Sequence, residues 1–535
     1  MNKTLDRLNA YQDAILWALA AAVVGLYVLL AQQAFDLGFP LDDSWIHQVY
    51  ARNLADRGEW AFVAGESSTA STSPLYTVLM AIGHLFNLSP FFWAHLWGIL
   101  ALGAAGSLGA RLGRMLFPAT PYADWATGLA MVLAWHVIWA AASGMETMLF
   151  MSFSLGLIYL SLRQLDEFSP IIPAQKSKKA ARLHTPPLSH QGRFTRGLAF
   201  GAVGALLTLT RPEGLGLVGL LGLGMLLAYG LAHRQNYLIW AGGVVLGYLL
   251  LISPYTAWNW QLSGELLPST AAAKIAENDF ARQDPLPSRY LTMLVPLIAG
   301  PQLIALPAIL TGLWLVGQQA RQNRRYWLAL VPALWAVAHL SLFALRLPAP
   351  YQHGRYVIPI LPPLLLYTAG GAWYLLERGK YSVPGRVFSR SLALSIVLAF
   401  PSFVWIGAQA YASDVRIINS EMVETAKWVR DNIPPDELFA VHDIGALAYY
   451  APRDILDLAG LVSPEVVPII NNYPAQMELI CEQGAAWLMV LPDQRPAAAD
   501  DPRLSLVYES PYDYADRARG ADEAWKMRVY AVKCP

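Results

Sequence analysis

The chain has 535 residues, 55% of them hydrophobic and only 14% charged, against about 25% charged in an ordinary soluble domain. A plain soluble enzyme is thereby excluded, and a polytopic membrane protein is the expected class. The 38 Lys and Arg balance the 38 Asp and Glu, so no net field attracts nucleic acid or a strongly acidic partner. Two cysteines, Cys481 and Cys534, exclude a disulfide scaffold and a CxxC-type zinc site.

Covering about 30 Å of hydrocarbon takes about 20 apolar residues. Eleven runs meet that test, at 13–33, 90–112, 123–142, 146–163, 197–210, 214–232, 237–257, 291–318, 326–345, 356–376 and 391–411, the fifth of them short. The run 75–88 is too short to cross and reads as a helix lying at the interface. The first run has a long apolar core and no small-residue cleavage site after it, so it reads as an anchor and not as a cleaved signal peptide. No internal repeat is evident.

Basic residues set the orientation, because Lys and Arg in short loops stay on the cytoplasmic side. With the N-terminus inside, the inner segments hold 19 Lys and Arg and the outer loops before residue 411 hold 8. Seven of the 19 fall in 163–196, where Lys176, Lys178, Lys179 and Arg182 mark a mobile cytoplasmic loop. Eleven spans then leave the tail outside, at the plasma or inner membrane.

That tail, 412–535, changes composition: it holds 11 Lys and Arg, 20 Asp and Glu, and no apolar run longer than a strand. A helix from Glu421 to Asn432 ends at Pro434-Pro435. Short apolar runs at ELFAVH, ILDLAGL, AAWLMVL, LSLVYE and KMRVYAV alternate with helical or turn segments, the pattern of an α/β domain. The expected division is a transmembrane domain, 1–411, and an extracytoplasmic α/β domain, 412–535.

The first outer loop carries FPLDDSWIHQVYARNLADRG. Asp42 or Asp43 can cap the helix beginning near Ser44. Two adjacent carboxylates also repel each other and raise one pKa, which suits a general base or a divalent cation site. The loop continues as GEWAFVAGESSTASTSPLYTVL, readable as a flexible linker or as a compact loop closing over a substrate. Polar residues recur where later runs emerge on the same side: Glu146 in SGMET, Arg211 and Glu213 in TRPEG, Lys274 in LLPSTAAAK, and His353, Arg355 and Tyr356 in YQHGRY. Each alone reads as a structural ion pair or a snorkelling side chain. Together, and with His47 of the first loop, they outline a polar cavity with cations to hold a phosphate and carboxylates to take a hydroxyl proton.

In their order, the acidic pair and the segments SPLY, SGMET, TRPEG, LLPSTAAAK and HGRY resemble the GT-C glycosyltransferases, and within them the branch containing the mycobacterial terminal arabinofuranosyltransferases. The plan is more distantly similar to the protein O-mannosyltransferases and the lipid A aminoarabinose transferases. The resemblance spans nearly the whole chain. It implies an inverting transfer from a polyprenyl-phosphate sugar to a glycan, lipid or protein acceptor, with Asp42 or Asp43 as base and the other positioning the acceptor or a cation. Arg355, Arg211 and Lys274 are then the phosphate candidates. The segment LPSTAAAK departs from the family's PNT followed by an aromatic, so the resemblance names the carrier class and leaves the sugar open.

The rival class is a transporter or flippase of a lipid-linked substrate, but transporters place ionisable groups near the bilayer midplane and here they fall at span ends. Cys481 and Cys534 are either separate thiols or a bridge tying the last strand to the tail, which requires Cα atoms within about 7 Å.

Overall fold

The computed structural model describes residues 10–169, 188–264, 266, 270–498, 500–515 and 525–535. The basic cluster Lys176 to Arg182 and residues 267–269 of LLPSTAAAK lie outside them.

The first part of the chain is helical: α1 (Gln12–Ala34), α2 (Asp43–Arg57), α3 (Pro74–Leu85), α4 (Pro90–Leu116), α5 (Ala123–Leu133), α6 (Trp135–Ala142), α7 (Thr147–Phe168), α8 (His190–Thr210), α9 (Gly214–Met225), α10 (Arg234–Ser263), α11 (Thr270–Glu277), α12 (Leu286–Ile298), α13 (Pro301–Gln322), α14 (Val331–Arg346), α15 (Leu361–Leu365), α16 (Thr368–Gly379) and α17 (Val383–Ile418). Among the described residues, seven helices are long and apolar enough to cross a membrane. The count becomes nine when two bent pairs are taken as single spans: α5 with α6, at 53°, and Tyr351–Leu365 with α16, at 48°. All nine fall on expected runs, so the difference from eleven rests on 197–210 and 214–232. The first of these lies in α8, whose opening HQGRFTRG is polar. The second lies in a shorter apolar helix that ends in a π-helical turn, Leu226–Gly230.

α8 is held through small residues. A Cβ on Gly197 would sit 2.0 Å from the Trp240 carbonyl oxygen, and one on Gly247 2.2 Å from that of Leu198, so only glycines let α8 and α10 pack backbone to backbone.

α17 runs straight through residue 412. It continues as a π-helical stretch, Asn419–Val423, and then as α18 (Glu424–Asn432), so the expected helix of the tail extends a membrane helix instead of starting afresh. Pro434 and Pro435 follow its end. Beyond lie β1 (Phe439–Val441), α19 (Ile444–Tyr450), β2 (Ile455–Asp457), α20 (Tyr473–Glu482), β3 (Trp487–Val490), β4 (Leu504–Glu509) and β5 (Arg528–Val532), each strand on one of the five expected runs. The sheet order is β2-β1-β3-β5-β4. β2, β1 and β3 are parallel, and β5 is antiparallel to both β3 and β4. The architecture is a polytopic helical membrane fold with a C-terminal α/β region. Cys481 and Cys534 form a disulfide with Cα atoms 5.5 Å apart; it ties α20 to the chain end just past β5.

Candidate functional site

The site forms where α2 meets the tail. Asp42 holds the N-cap position of α2 but makes no side-chain cap bond. Its carboxylate instead accepts from the backbone N–H groups of Gly445 at 2.6 Å and Ala446 at 2.7 Å, donors that the first turn of α19 leaves free. The residue there must be glycine, since a Cβ on Gly445 would come within 2.2 Å of the Asp42 carbonyl oxygen. Near the other end of α2, Arg52 donates to the Ala448 and Tyr449 carbonyls at 3.0 and 2.7 Å. A carboxylate at the N–H end and a guanidinium at the carbonyl end thus grip one short helix, each matched to its dipole. Trp45, fully buried, packs between them on Tyr449 and Tyr450.

Asp43 points elsewhere. It pairs with Arg355 at 2.6 Å and keeps 28% of its side chain exposed. Arg355 also donates to the Tyr356 hydroxyl at 2.9 Å. Lys274, on α11, pairs with Glu277 at 3.2 Å. Tail residues complete the group: His442 lies 3.8 Å from both Glu277 and Asp443, Gln494 donates to Asp443 at 2.9 Å, and Asn471 donates to the Ala276 carbonyl of α11 at 2.8 Å.

The environment drives the two aspartates apart. Burial and the facing Asp443 push Asp42 up to about 7, against its two N–H bonds. Burial also opposes ionisation of Asp43, but Arg355 and Lys274 outweigh it and hold the carboxyl at about 2. Burial would lower Lys274 and His442, yet Asp43 and Glu277 raise the first and Asp443 and Glu277 the second. Asp43 is therefore ionised, and acids and bases interleave around it.

The remaining expected residues gather in two other places. His47, Glu146, Arg211 and Glu213 form a chain, with His47 to Glu146 at 3.2 Å, Arg211 to Glu146 at 3.4 Å and Arg211 to Glu213 at 3.1 Å. It abuts the first group through Phe343, which stacks on Tyr356 at 5.3 Å while the Arg211 guanidinium lies 6.0 Å from its ring. His353 parts from Arg355: Gln352, His353 and Gly354 take φ of 39°, 59° and 76°, and His353 bonds Asp414 at 2.8 Å beside Trp135 and Trp139. The grouping of His353 with Arg355 is thus corrected by backbone geometry, since three successive left-handed residues turn the two side chains apart.

The hydroxyl-rich loop is packed, not flexible. Ser68 bonds Tyr50, Ser71 bonds Thr77 at 2.9 Å, and Asn53 donates to the Ala61 and Phe62 carbonyls. Among the described residues, no group of three or more His, Cys, Asp or Glu is placed to hold a metal ion. The expected cation site at the acidic pair does not fit either, because Asp42 and Asp43 diverge to different partners.

Sequence reading missed Glu277, His442 and Asp443. Glu277 lies one helical turn past Lys274, and His442-Asp443 closes a parallel strand, where α/β sheets place their ligands; both signals were present but weak.

Comparison with known proteins decides the fold. ArnT from Cupriavidus metallidurans bound to undecaprenyl phosphate superposes with a TM-score of 0.59 at 15% identity, over 96% of this chain and 97% of that one. The fold is that of the GT-C glycosyltransferases. The Archaeoglobus fulgidus oligosaccharyltransferase in its apo form matches this GT-C-like chain with a TM-score of 0.57 at 12% identity, over 90% of this chain and 70% of its own. The arabinofuranosyltransferase AftD from Mycobacteria matches at 0.51 and 16% identity, over 96% of this chain but only 40% of its own. A family profile described as a domain of unknown function (DUF8728) covers residues 412–530. No curated protein sequence matches the chain.

Proposed function

We propose that the chain is an inverting membrane glycosyltransferase that moves a sugar from a polyprenyl-phosphate donor to an extracytoplasmic glycan, lipid or protein acceptor. The observation that carries this reading is Asp43: an ionised, partly exposed carboxylate beside two cations, Arg355 and Lys274, where α2 and α11 meet the tail. Asp43 takes the proton of the acceptor hydroxyl, whose oxygen attacks the anomeric carbon of the sugar from the face opposite the lipid phosphate. The bond from that carbon to the phosphate oxygen breaks, and the charge gathering on the phosphate is neutralised by Arg355 and Lys274. A phosphate leaves without a general acid, so one base and two cations are sufficient. Asp42, with both oxygens committed to Gly445 and Ala446, anchors the tail instead.

In this reading the N-terminus is cytoplasmic and the tail faces outward, the side on which Lys and Arg are scarce and a disulfide is stable. The transfer reaction itself is the test. Purified full-length protein in detergent receives radiolabelled polyprenyl-phosphate sugars and envelope glycan and lipid fractions as acceptors. Label moving to an acceptor, with polyprenyl phosphate released in equal amount, supports the reading; label that stays on the lipid with every sugar refutes it.

A further inference from the structure

Both cations of the site already have carboxylate partners. The Nη2 atom of Arg355 is shared between Asp43 and the Tyr356 hydroxyl, and Lys274 is held by Glu277 one turn along α11. The Arg355 Nε is the exception: it is buried, in a residue only 8% exposed, and has no hydrogen-bond partner. A buried guanidinium N–H without an acceptor costs free energy that a ligand oxygen recovers. Arg355 thus offers a free buried donor, while its Nη2 and the Lys274 ammonium are already matched by carboxylates. A phosphate cannot simply be added, because Asp43, Glu277 and Asp443 would leave the group with excess negative charge.

We propose that the lipid carrier's phosphate binds by ion-pair exchange, displacing Asp43 from Arg355 and Glu277 from Lys274, which makes Glu277 a positioning residue for the donor. The inference rests on the donor-phosphate reading above and adds an order of events. The phosphate first meets the free Nε, then takes the fork of Arg355 bidentately, and Lys274 swings from Glu277 to the second oxygen. The released Glu277 has a partner at hand in His442, 3.8 Å from its Oε1. The released Asp43 loses the guanidinium that quenches its basicity, so the base becomes effective only when the donor is in place. Charge on the phosphate grows as the sugar departs, which drives the exchange further in the direction of transfer.

The account predicts the sign of an affinity change that a purely structural role would reverse. Binding of undecaprenyl phosphate to the purified full chain in detergent is measured for wild type, Glu277→Gln, Glu277→Asp and Arg355→Ala. Glu277→Gln removes a competitor for Lys274 and binds about 3- to 10-fold tighter, as expected for one lost charge pair of partial burial. Glu277→Asp keeps the competing charge and binds within about twofold of wild type. If Glu277 merely props Lys274 in position, Glu277→Gln binds more weakly or unchanged, and the exchange is overturned. Should Glu277→Gln not fold, Asp43→Asn carries the same prediction, tighter binding, through Arg355. Failure of wild type to bind undecaprenyl phosphate overturns the donor reading and the exchange together. Normal binding by wild type, weakened by Arg355→Ala but not tightened by Glu277→Gln, overturns the exchange alone.

Discussion

Two charge clusters lie side by side and share the ring of Phe343, yet they are built to different ends. In His47–Glu146–Arg211–Glu213 the side chains are 4 to 16% exposed, and the two acids and the guanidinium bond one another in series. In Asp43–Arg355 and Lys274–Glu277 the exposure of Asp43, Lys274 and Glu277 rises to between 20 and 28%, and His442 and Asn471 of the tail close on α11. A buried chain with its partners supplied by the helices themselves holds α2, α7 and α8 in register; breaking it exposes an uncompensated charge. A cluster closed by a separate body, with a free guanidinium N–H and a solvated carboxylate, can exchange partners with a substrate. On the proposed reading the first cluster holds the fold and the second does the chemistry.

The largest expected effect separates the two. Arg211→Met leaves Glu146 and Glu213 buried without their cation and lowers stability by about 3–5 kcal/mol, read as loss of folded protein in detergent-solubilised membranes. Arg355→Ala leaves folded protein but raises the KM for a polyprenyl-phosphate sugar about tenfold or more, because the bidentate grip is lost; Arg355→Lys recovers part of it. Equal loss of folded protein in Arg211→Met and Arg355→Ala would erase the distinction between the clusters.

Much of this plan was legible in the sequence, because run length and period carry it. The seven to nine candidate spans among the described residues, the five strands of the tail and the acidic pair all follow from local pattern. What was not legible depends on docking. Nothing local distinguishes Asp42 from Asp43; the distinction arises when Gly445 and Ala446, some 400 positions away, bring their N–H groups to the first carboxylate. His353 and Arg355 share the segment YQHGRY at the end of one apolar run, but a left-handed turn parts them. Glu277, His442 and Asp443 matter only because the tail folds back on α11.

A smaller effect is expected at the tail anchor. Gly445→Ala places a Cβ against the Asp42 backbone and loosens the grip of α2 on α19 without touching Arg355, so limited proteolysis releases the tail sooner while the affinity for undecaprenyl phosphate is kept. Unchanged proteolysis would mean that the tail is held by other contacts.

The smallest effect is one of pH. Asp42 is raised to about 7 in the folded chain, so between its unfolded value near 4 and about 7 the folded state binds the extra proton, and stability contributed by this group falls as pH rises through that window. Thermal unfolding of the full chain in detergent should show a lower midpoint at about pH 8 than at about pH 5, with a smaller difference in Asp42→Asn. The same slope in both would place the titration elsewhere.

The central claim is that the chemistry belongs to Asp43 and the anchoring to Asp42, and one paired measurement tests it. Transfer of radiolabel from a polyprenyl-phosphate sugar is followed with Asp43→Asn and Asp42→Asn, each shown to be folded and membrane-inserted. The account predicts that Asp43→Asn loses about 10²- to 10⁴-fold in turnover, the loss expected for a missing general base, while Asp42→Asn keeps measurable transfer with a tail more open to protease. Near wild-type turnover by Asp43→Asn, or a loss confined to Asp42→Asn, would contradict it.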